Sequence, residues 1–203
     1  MNRGFSLIEV AVTVAVVLVL SLILYPLATS YVELSRTARA QSDVQLIGKA
    51  LLNFERDIGR FPMFSSGTVL QDSNANVIRL EGPGTAPTTS ASPWITTTGV
   101  TDSPDCTAAC TFHTMGALIA NAIGYPGTSS LAKPFKWRGP YLDVRADPWG
   151  RKYLVNIING KSGSSDAVFV LSAGSNGILE TAFNITKTSS VTAGGDDIVY
   201  RIK

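Results

Sequence analysis

The chain has 203 residues, of which 17 are basic and 15 acidic, so its formal net charge at neutral pH is +2. This near balance provides no strong field toward nucleic acid or an acidic partner. The length is sufficient for a long N-terminal helix and one globular domain. The sequence has a single histidine, His113, and no phosphate-binding loop or nucleophile motif, so we do not expect an enzyme.

The N-terminal stretch is apolar apart from one carboxylate. Glu9 is the only charged residue between Arg3 and the end of the apolar run at Leu24. A carboxylate at membrane depth costs about 2.5–3.5 kcal/mol on insertion scales, so it persists where a partner or a function offsets that cost. A cleaved secretory signal or a plain membrane anchor are the simplest interpretations. Residues 25–28 form a poor cleavage site, and neither interpretation explains Glu9.

The residues around Glu9 carry a specific resemblance. Residues 3–9, Arg-Gly-Phe-Ser-Leu-Ile-Glu, resemble the class III signal of type IV prepilins and pseudopilins. The resemblance implies a leader of residues 1–4, cleaved between Gly4 and Phe5 by a prepilin peptidase, and N-methylation of Phe5. Residues 5–28 would remain as a transmembrane and filament-core helix. The protein would then be a single-pass protein of the bacterial inner membrane with its C-terminal domain in the periplasm.

The helical pattern continues beyond the apolar stretch. Apolar residues recur at helical spacing through the second part of the pattern, which predicts an amphipathic half over residues 29–60 with one face on a domain. Pro26 should kink or loosen the helix, because proline lacks the N–H group and its ring disturbs the preceding turn. Gly59 and Pro62 supply the expected helix end.

The following region, residues 63–135, is rich in Ser, Thr, Gly, Pro and Asn and shows little periodicity. We expect a short hairpin within residues 70–80 and a short helix over residues 111–123. Cys106 and Cys110 would form a disulfide in an oxidising compartment. A metal site with His113 is the competing interpretation, but it lacks a fourth ligand.

The remainder of the chain predicts strands and a tight turn. Asp147-Pro-Trp-Gly150 has the residues of a type I turn. Three strand-like runs cover residues 152–158, 167–172 and 198–202. The predicted fold class is therefore α+β, and the resemblance to prepilins implies that it is type IV pilin-like. In it, the long helix packs on a small antiparallel sheet formed within residues 139–203 of a globular domain, residues 61–203.

Residues 41–62, 139–155 and 166–202 together also resemble the major pseudopilin of type II secretion systems, whereas residues 63–135 lie outside this resemblance. The residues that carry this second resemblance include Gly139-Pro-Tyr-Leu142, Asp147-Pro-Trp-Gly150 and Ser172-Ala-Gly-Ser-Asn-Gly177. It implies a calcium site, whose ligands in this chain would be the side chains of Asn176, Asp196 and Asp197 and the carbonyl of Ala173. Two departures weaken it, because the family commonly has Asp at Asn176 and residues 179–193 are longer than usual. The alternative is a plain turn before the last strand.

The two resemblances imply a structural function. We expect a pseudopilus subunit that assembles into a homo-oligomeric helical filament, with minor pseudopilins and an inner-membrane assembly platform as partners. Glu9 would pair with the amine of Phe5 on a neighbouring subunit. The alternative is a type IV pilin of a surface fibre for adhesion, motility or DNA uptake, but many such pilins have a C-terminal disulfide that this chain lacks. Lys133, Lys136 and Arg138 are interleaved with aromatic residues, yet we expect a solvated loop there rather than a nucleic-acid contact.

Overall fold

The computed structural model describes residues 6–59, 61–62, 79–89, 118, 136–143, 145–157, 167–183 and 185–203. The chain forms two compact units, Met1–Ala38 and Arg39–Lys203. The predicted disulfide between Cys106 and Cys110 lies outside the described residues. The predicted hairpin within residues 70–80 and the predicted helix over residues 111–123 also lie largely outside them, although Leu118 is helical and fully buried.

Helix α1, Leu7–Ile58, contains 52 residues and confirms the predicted long N-terminal helix. Among the described residues it is long and apolar enough to cross a membrane, and its most apolar 18-residue window is not buried at all by the protein. Several hydroxyl side chains in this part donate hydrogen bonds to helix carbonyls three or four residues earlier, among them Thr13, Ser21 and Thr37. These local bonds satisfy polar groups within an otherwise apolar helix.

The C-terminal part of α1 carries a buried face. Its buried residues recur at helical spacing: Ala40, Val44, Ile47, Gly48, Ala50, Leu51, Phe54 and Ile58. The helix ends as predicted at Gly59, which adopts a φ of 85° and donates its N–H to the Glu55 carbonyl at 2.6 Å. A glycine meets this need because a Cβ is disfavoured at positive φ.

The main sheet contains four antiparallel strands in the order β1-β3-β4-β6. Its strands are β1 (Arg79–Glu81), β3 (Leu154–Asn156), β4 (Phe169–Ser172) and β6 (Ile198–Arg201). The three C-terminal strands confirm the predicted sheet. Strand β1 adds a fourth member from the long loop region, since Leu80 pairs with Val155 of β3. A second, parallel pair joins β2 (Thr88–Thr89) to β5 (Ile178–Leu179).

Both faces of the main sheet are buried. The first apolar cluster joins the C-terminal part of α1 to one face and includes Phe54, Tyr153, Val155, Val168 and Val170. The second covers the other face and includes Leu154, Phe169, Leu171, Leu179 and Phe183. Ala173, Leu179, Phe183 and Ile185 therefore help to cover the face that the helix leaves open. Residues 173–181 also contact residues 194–197, and these two segments together are called the acidic loop below.

Candidate functional site

The N-terminal carboxylate of Glu9 caps its own helix. Glu9 Oε2 accepts a hydrogen bond from the backbone N–H of Ser6 at 2.9 Å. Ser6-Leu7-Ile8-Glu9 has the spacing of a capping box, in which an acidic residue satisfies an N–H group that the first helical turn leaves unpaired. Sequence reasoning assigned Glu9 to assembly alone and missed this local partner. Gly4 and Phe5 lie outside the described residues.

Pro26 lies within α1, and its carbonyl oxygen accepts hydrogen bonds from two side chains. The hydroxyls of Thr29 and Ser30 each donate to the Pro26 carbonyl at 2.9 Å. These bonds fall in the turn that follows the proline, where they satisfy the same carbonyl on two sides. The loosened helix predicted at this position stays a prediction.

Asp197 is the most deeply held carboxylate of the acidic loop, with 6% of the residue exposed. Its Oδ2 accepts three hydrogen bonds, from the N–H groups of Glu180 and Thr181 and from the Thr181 hydroxyl, at 2.9, 2.6 and 2.6 Å. Its Oδ1 is buried and has no hydrogen-bond donor among the described residues. Burial raises the pKa of Asp197 and the charge of Asp196 adds to the increase, although the three hydrogen bonds oppose it.

Asp196 shows the same division between its two oxygens. Oδ2 accepts hydrogen bonds from the Ser175 hydroxyl at 2.7 Å and from the Asn176 N–H at 2.9 Å. Oδ1 is buried without a donor in the described part of the chain. Burial raises the pKa of this carboxyl, but the hydrogen bonds from Ser175 and Asn176 outweigh it, so the net pKa is lowered. Adjacent residues thus each present one unsatisfied, buried carboxylate oxygen.

The other two predicted ligands already take part in the loop's own hydrogen bonds. Asn176 Oδ1 accepts from the Ile178 N–H at 2.7 Å, and the Ala173 carbonyl accepts from the Gly177 N–H at 3.1 Å. A carbonyl oxygen has two lone pairs, so each atom keeps the capacity to accept a second partner. The structure brings the four predicted residues into one loop system through the contact of Asn176 with Asp196.

Glu180 is an acidic residue of this loop that sequence reasoning missed. Its Oε2 accepts a hydrogen bond from Asn176 Nδ2 at 3.1 Å. Gly195 has a φ of 47°, a conformation that favours glycine, and a Cβ there would overlap the carboxylate of Glu180 in its present position. The signal available in sequence was its position between Asn176 and Asp196, but 16 residues separate Glu180 from Asp196 along the chain.

The unsatisfied oxygens suit a hard cation. A buried acceptor without a donor costs about 1–3 kcal/mol, and more when it is charged. Calcium takes six to eight oxygens from carboxylates, carbonyls and water. Within the described ranges, no group of three or more His, Cys, Asp or Glu side chains is arranged to hold a metal. A cation here would therefore depend on the two aspartates together with backbone and amide oxygens, and that mixed oxygen set fits calcium.

A turn that begins at the buried Asp147 contacts the end of β4, next to the acidic loop. Asp147 accepts hydrogen bonds from the N–H groups of Trp149 and Arg151 through Oδ1, and from the Ser172 hydroxyl through Oδ2. The Gly150 N–H donates to the Asp147 carbonyl at 2.9 Å, which confirms the predicted tight turn. Sequence reasoning found this turn but missed its link to Ser172 at the end of β4.

The basic segment before the sheet packs as a structural loop. The Trp137 ring contacts Tyr141 edge to face at 5.8 Å, and the Lys136 N–H donates to the Asp57 carbonyl of α1. Arg138 donates its N–H to the Tyr141 hydroxyl. Lys133 lies outside the described residues. Trp137 is partly buried against the first apolar cluster, and the expectation of a solvated loop without a nucleic-acid contact stays a prediction.

The comparison with protein families finds a match at the N-terminal end of the chain. Residues 1–25 match the prokaryotic N-terminal methylation motif, which includes Gly4, Phe5 and Glu9 and continues into α1. This motif and the long apolar helix are consistent with a type IV pilin-like protein. The motif and the apolar helix together indicate a membrane-anchored protein, processing by a prepilin peptidase and filament assembly. No curated protein and no solved structure matches the chain.

Proposed function

We propose that this pilin-like protein is a subunit of a type II secretion pseudopilus. The fibre is assembled from the bacterial inner membrane, with the C-terminal domain in the periplasm. Its partners are further copies of the chain, minor pseudopilins and the inner-membrane assembly platform, and its role is structural rather than enzymatic. The methylation motif supports the filament class.

The acidic loop supports the choice of a pseudopilus over a surface pilus. The C-terminal region lacks cysteine, since Cys106 and Cys110 both precede the main sheet's last three strands. In place of a C-terminal disulfide, the chain has Asp196 and Asp197, each with one buried oxygen that lacks a donor among the described residues. A surface pilin for adhesion, motility or DNA uptake is the second candidate, and capture of DNA through Lys133, Lys136 and Arg138 would favour it.

Glu9 is proposed to control assembly. Its Oε2 caps the helix through Ser6, while Oε1 has no donor among the described residues. Oε1 is thus the oxygen that can accept a hydrogen bond from the methylated amine of Phe5 on a neighbouring subunit. In an apolar filament core, a lone carboxylate and a lone ammonium are each costly, so their pairing fixes the position of one subunit relative to the next.

The experiment replaces Glu9 with valine in the full chain. Glu9→Val should still enter the membrane fraction but should reduce the yield of sheared filaments to background, because the amine of the neighbour is left unpaired. The matched control is Glu33→Gln, which alters another carboxylate of α1 that pairs with Arg36 at 2.7 Å. A normal filament yield from Glu9→Val would remove Glu9 from the assembly mechanism.

Calcium is the proposed ligand of the acidic loop, held by Asp196 and Asp197 with the Asn176 side chain and the Ala173 carbonyl. Bound calcium supplies positive charge to oxygens that otherwise have no donor. A ligand that binds only the folded state stabilises it by RT ln(1 + [L]/Kd), which is about 2.7 kcal/mol at a concentration of 100 Kd. Thermal unfolding of the full chain in detergent should therefore shift upward when calcium replaces EGTA.

Asp197→Asn distinguishes a calcium ligand from a structural acceptor. A neutral amide should be tolerated in EGTA, because its oxygen can still accept the hydrogen bonds from the N–H groups of Glu180 and Thr181. The calcium-dependent shift should disappear in this variant. An unchanged shift would exclude Asp197 as a ligand, and the absence of any shift in the parent chain would contradict calcium binding.

A further inference from the structure

Strand β2, which belongs to the long loop region of residues 63–135, forms hydrogen bonds with the acidic loop. In the parallel pair of β2 and β5, Thr88 lies opposite Ile178, and the Thr88 N–H donates to the Gly177 carbonyl at 2.9 Å. The strand β5 begins two residues after Asn176, one of the proposed calcium ligands. Residues 85–89 belong to the region 63–135, so this pairing joins two parts of the chain that are about 90 residues apart.

A second set of hydrogen bonds joins residues 85–89 to the end of the Asp147 turn. The Thr85 N–H donates to the Gly150 carbonyl at 3.0 Å, and the Thr85 carbonyl accepts from the Lys152 N–H at 2.9 Å. Arg151 lies between these two contacts in sequence. Its Nη1 donates to the carbonyls of Gly174 and Ser175 at 2.7 and 3.3 Å. Residues 150–152, at the end of this turn, therefore form hydrogen bonds both with Thr85 and with the acidic loop.

Gly177 is the point at which the attachment and the acidic loop meet. Its N–H donates to the Ala173 carbonyl, and its carbonyl accepts from Thr88. Gly177 has a φ of 73°, and a Cβ there would overlap the guanidinium of Arg151. The same short turn thus contains a proposed ligand atom at Ala173 and the acceptor for the Thr88 N–H. A change in the conformation of residues 173–177 must therefore alter both.

We propose that calcium binding to the acidic loop and attachment of residues 85–89 to Gly177 are thermodynamically linked, so that the cation controls how this part of the long loop region is held on the domain. The inference rests on the calcium site proposed above. Linkage is reciprocal: if calcium strengthens the attachment by some factor, loss of the attachment weakens calcium binding by the same factor. The consequence is a cation-dependent surface on each subunit of the fibre.

Hydrogen exchange at two backbone amides tests the proposal in the full chain in detergent, with calcium and then with EGTA. The Thr88 amide should exchange about tenfold more slowly with calcium, within the 5–150-fold range usual for coupled sites. The Gly82 amide donates to the Tyr153 carbonyl, away from the acidic loop, and should change less than about twofold because its bond lies outside the coupled turn. Asp197→Asn should abolish the difference at Thr88.

The reciprocal experiment measures calcium affinity by titration calorimetry. Thr88→Pro removes the N–H that Gly177 accepts and should weaken calcium binding by about the factor seen in exchange, roughly tenfold. Thr88→Val keeps the N–H and should bind calcium as the parent does. Calcium binding without a change at the Thr88 amide would overturn the linkage while leaving the proposed site intact, whereas the absence of calcium binding would overturn both.

Discussion

The two parts of helix α1 differ in what their apolar residues contact, although one continuous helix contains both. In the part within Met1–Ala38, large apolar side chains such as Leu18 and Leu22 are exposed by more than half. In the part that begins at Arg39, Leu51 and Phe54 are fully buried against the domain's own sheet. A soluble protein rarely leaves so large an apolar surface open, so the first part requires a membrane or neighbouring copies to cover it.

The two parts of α1 therefore meet two different physical requirements, the stability of the subunit and its contacts with its surroundings. The second part of α1 contributes to the stability of the individual subunit, since its buried face packs on β3 and β4 through residues such as Val155 and Val170. The first part contributes to the contacts of the subunit with the membrane or with neighbouring copies. Substitutions in the two parts should therefore alter different measurements.

The largest effect is expected for Phe54→Ala. Phe54 is fully buried and contacts Tyr141 edge to face at 5.7 Å, so its truncation should lower the free energy of unfolding by about 3–5 kcal/mol. Denaturant unfolding of the full chain in detergent, followed by the fluorescence of its three tryptophans, measures the change.

Leu18→Ala is the matched control in the exposed part. The side chain of Leu18 is 60% exposed, so the same truncation type should change the unfolding free energy of the domain by less than about 0.5 kcal/mol. Equal destabilisation by Leu18→Ala and Phe54→Ala would show that the domain does depend on the first part of α1, which contradicts the division.

The elements that sequence could predict are those with a local physical signal. Helical periodicity, the terminating Gly59 and the strand-like runs are each signals that lie within a few residues, and they identified α1 and three of the four strands of the main sheet. The methylation motif around Glu9 is equally local. Strand β1 was missed as a sheet member because its partner, β3, lies more than 70 residues later in the chain.

The acidic loop shows why the rest was less predictable. Asp196 and Asp197 were identified through a family resemblance, but the groups that hold them, Ser175, Glu180 and Thr181, lie 16 to 21 residues away. Arg151 and Thr88 donate to backbone carbonyls. Every residue has a backbone carbonyl, so the sequence does not show which one will be the acceptor. Contacts of this kind require the folded chain.

A smaller effect is expected for Gly48→Ala, which tests how closely the buried part of α1 approaches the sheet. A Cβ at Gly48 would lie 2.5 and 2.6 Å from the ring atoms Cε1 and Cδ1 of Tyr200. Alanine favours helix over glycine by about 0.5–1 kcal/mol, but overpacking costs about 1–3 kcal/mol, so the net change should be destabilising.

The double variant Gly48→Ala with Tyr200→Ala separates these two contributions. Once the ring is absent, the alanine at position 48 should stabilise the chain relative to Tyr200→Ala alone, because only the helix preference remains. Destabilisation by Gly48→Ala of the same size in both backgrounds would show that the Tyr200 ring is not the cause.

The smallest effect at neutral pH is expected where a tyrosine joins the buried part of α1 to the sheet. The hydroxyl of Tyr153 donates to Asp43 Oδ2 at 2.9 Å. Tyr153→Phe should lower the unfolding free energy by about 1 kcal/mol, because Asp43 retains contact with solvent and with Arg39 at 3.6 Å. Chemical denaturation at pH 7 measures this change.

The same tyrosine gives the fold a predictable response to alkali. Burial raises the pKa of Tyr153 above its ordinary value of 10.0, and the hydrogen bond to Asp43 adds to the increase. The folded state therefore favours the neutral phenol, so its contribution is complete below pH 10 and is lost as the unfolded chain ionises above it. Tyr153→Phe removes this group, and its stability should fall less steeply than that of the parent from pH 10 upward. Parallel declines in the two proteins would mean that Tyr153 ionises equally well in the folded and unfolded chains, and that the buried contact between α1 and the sheet does not exclude water from its hydroxyl.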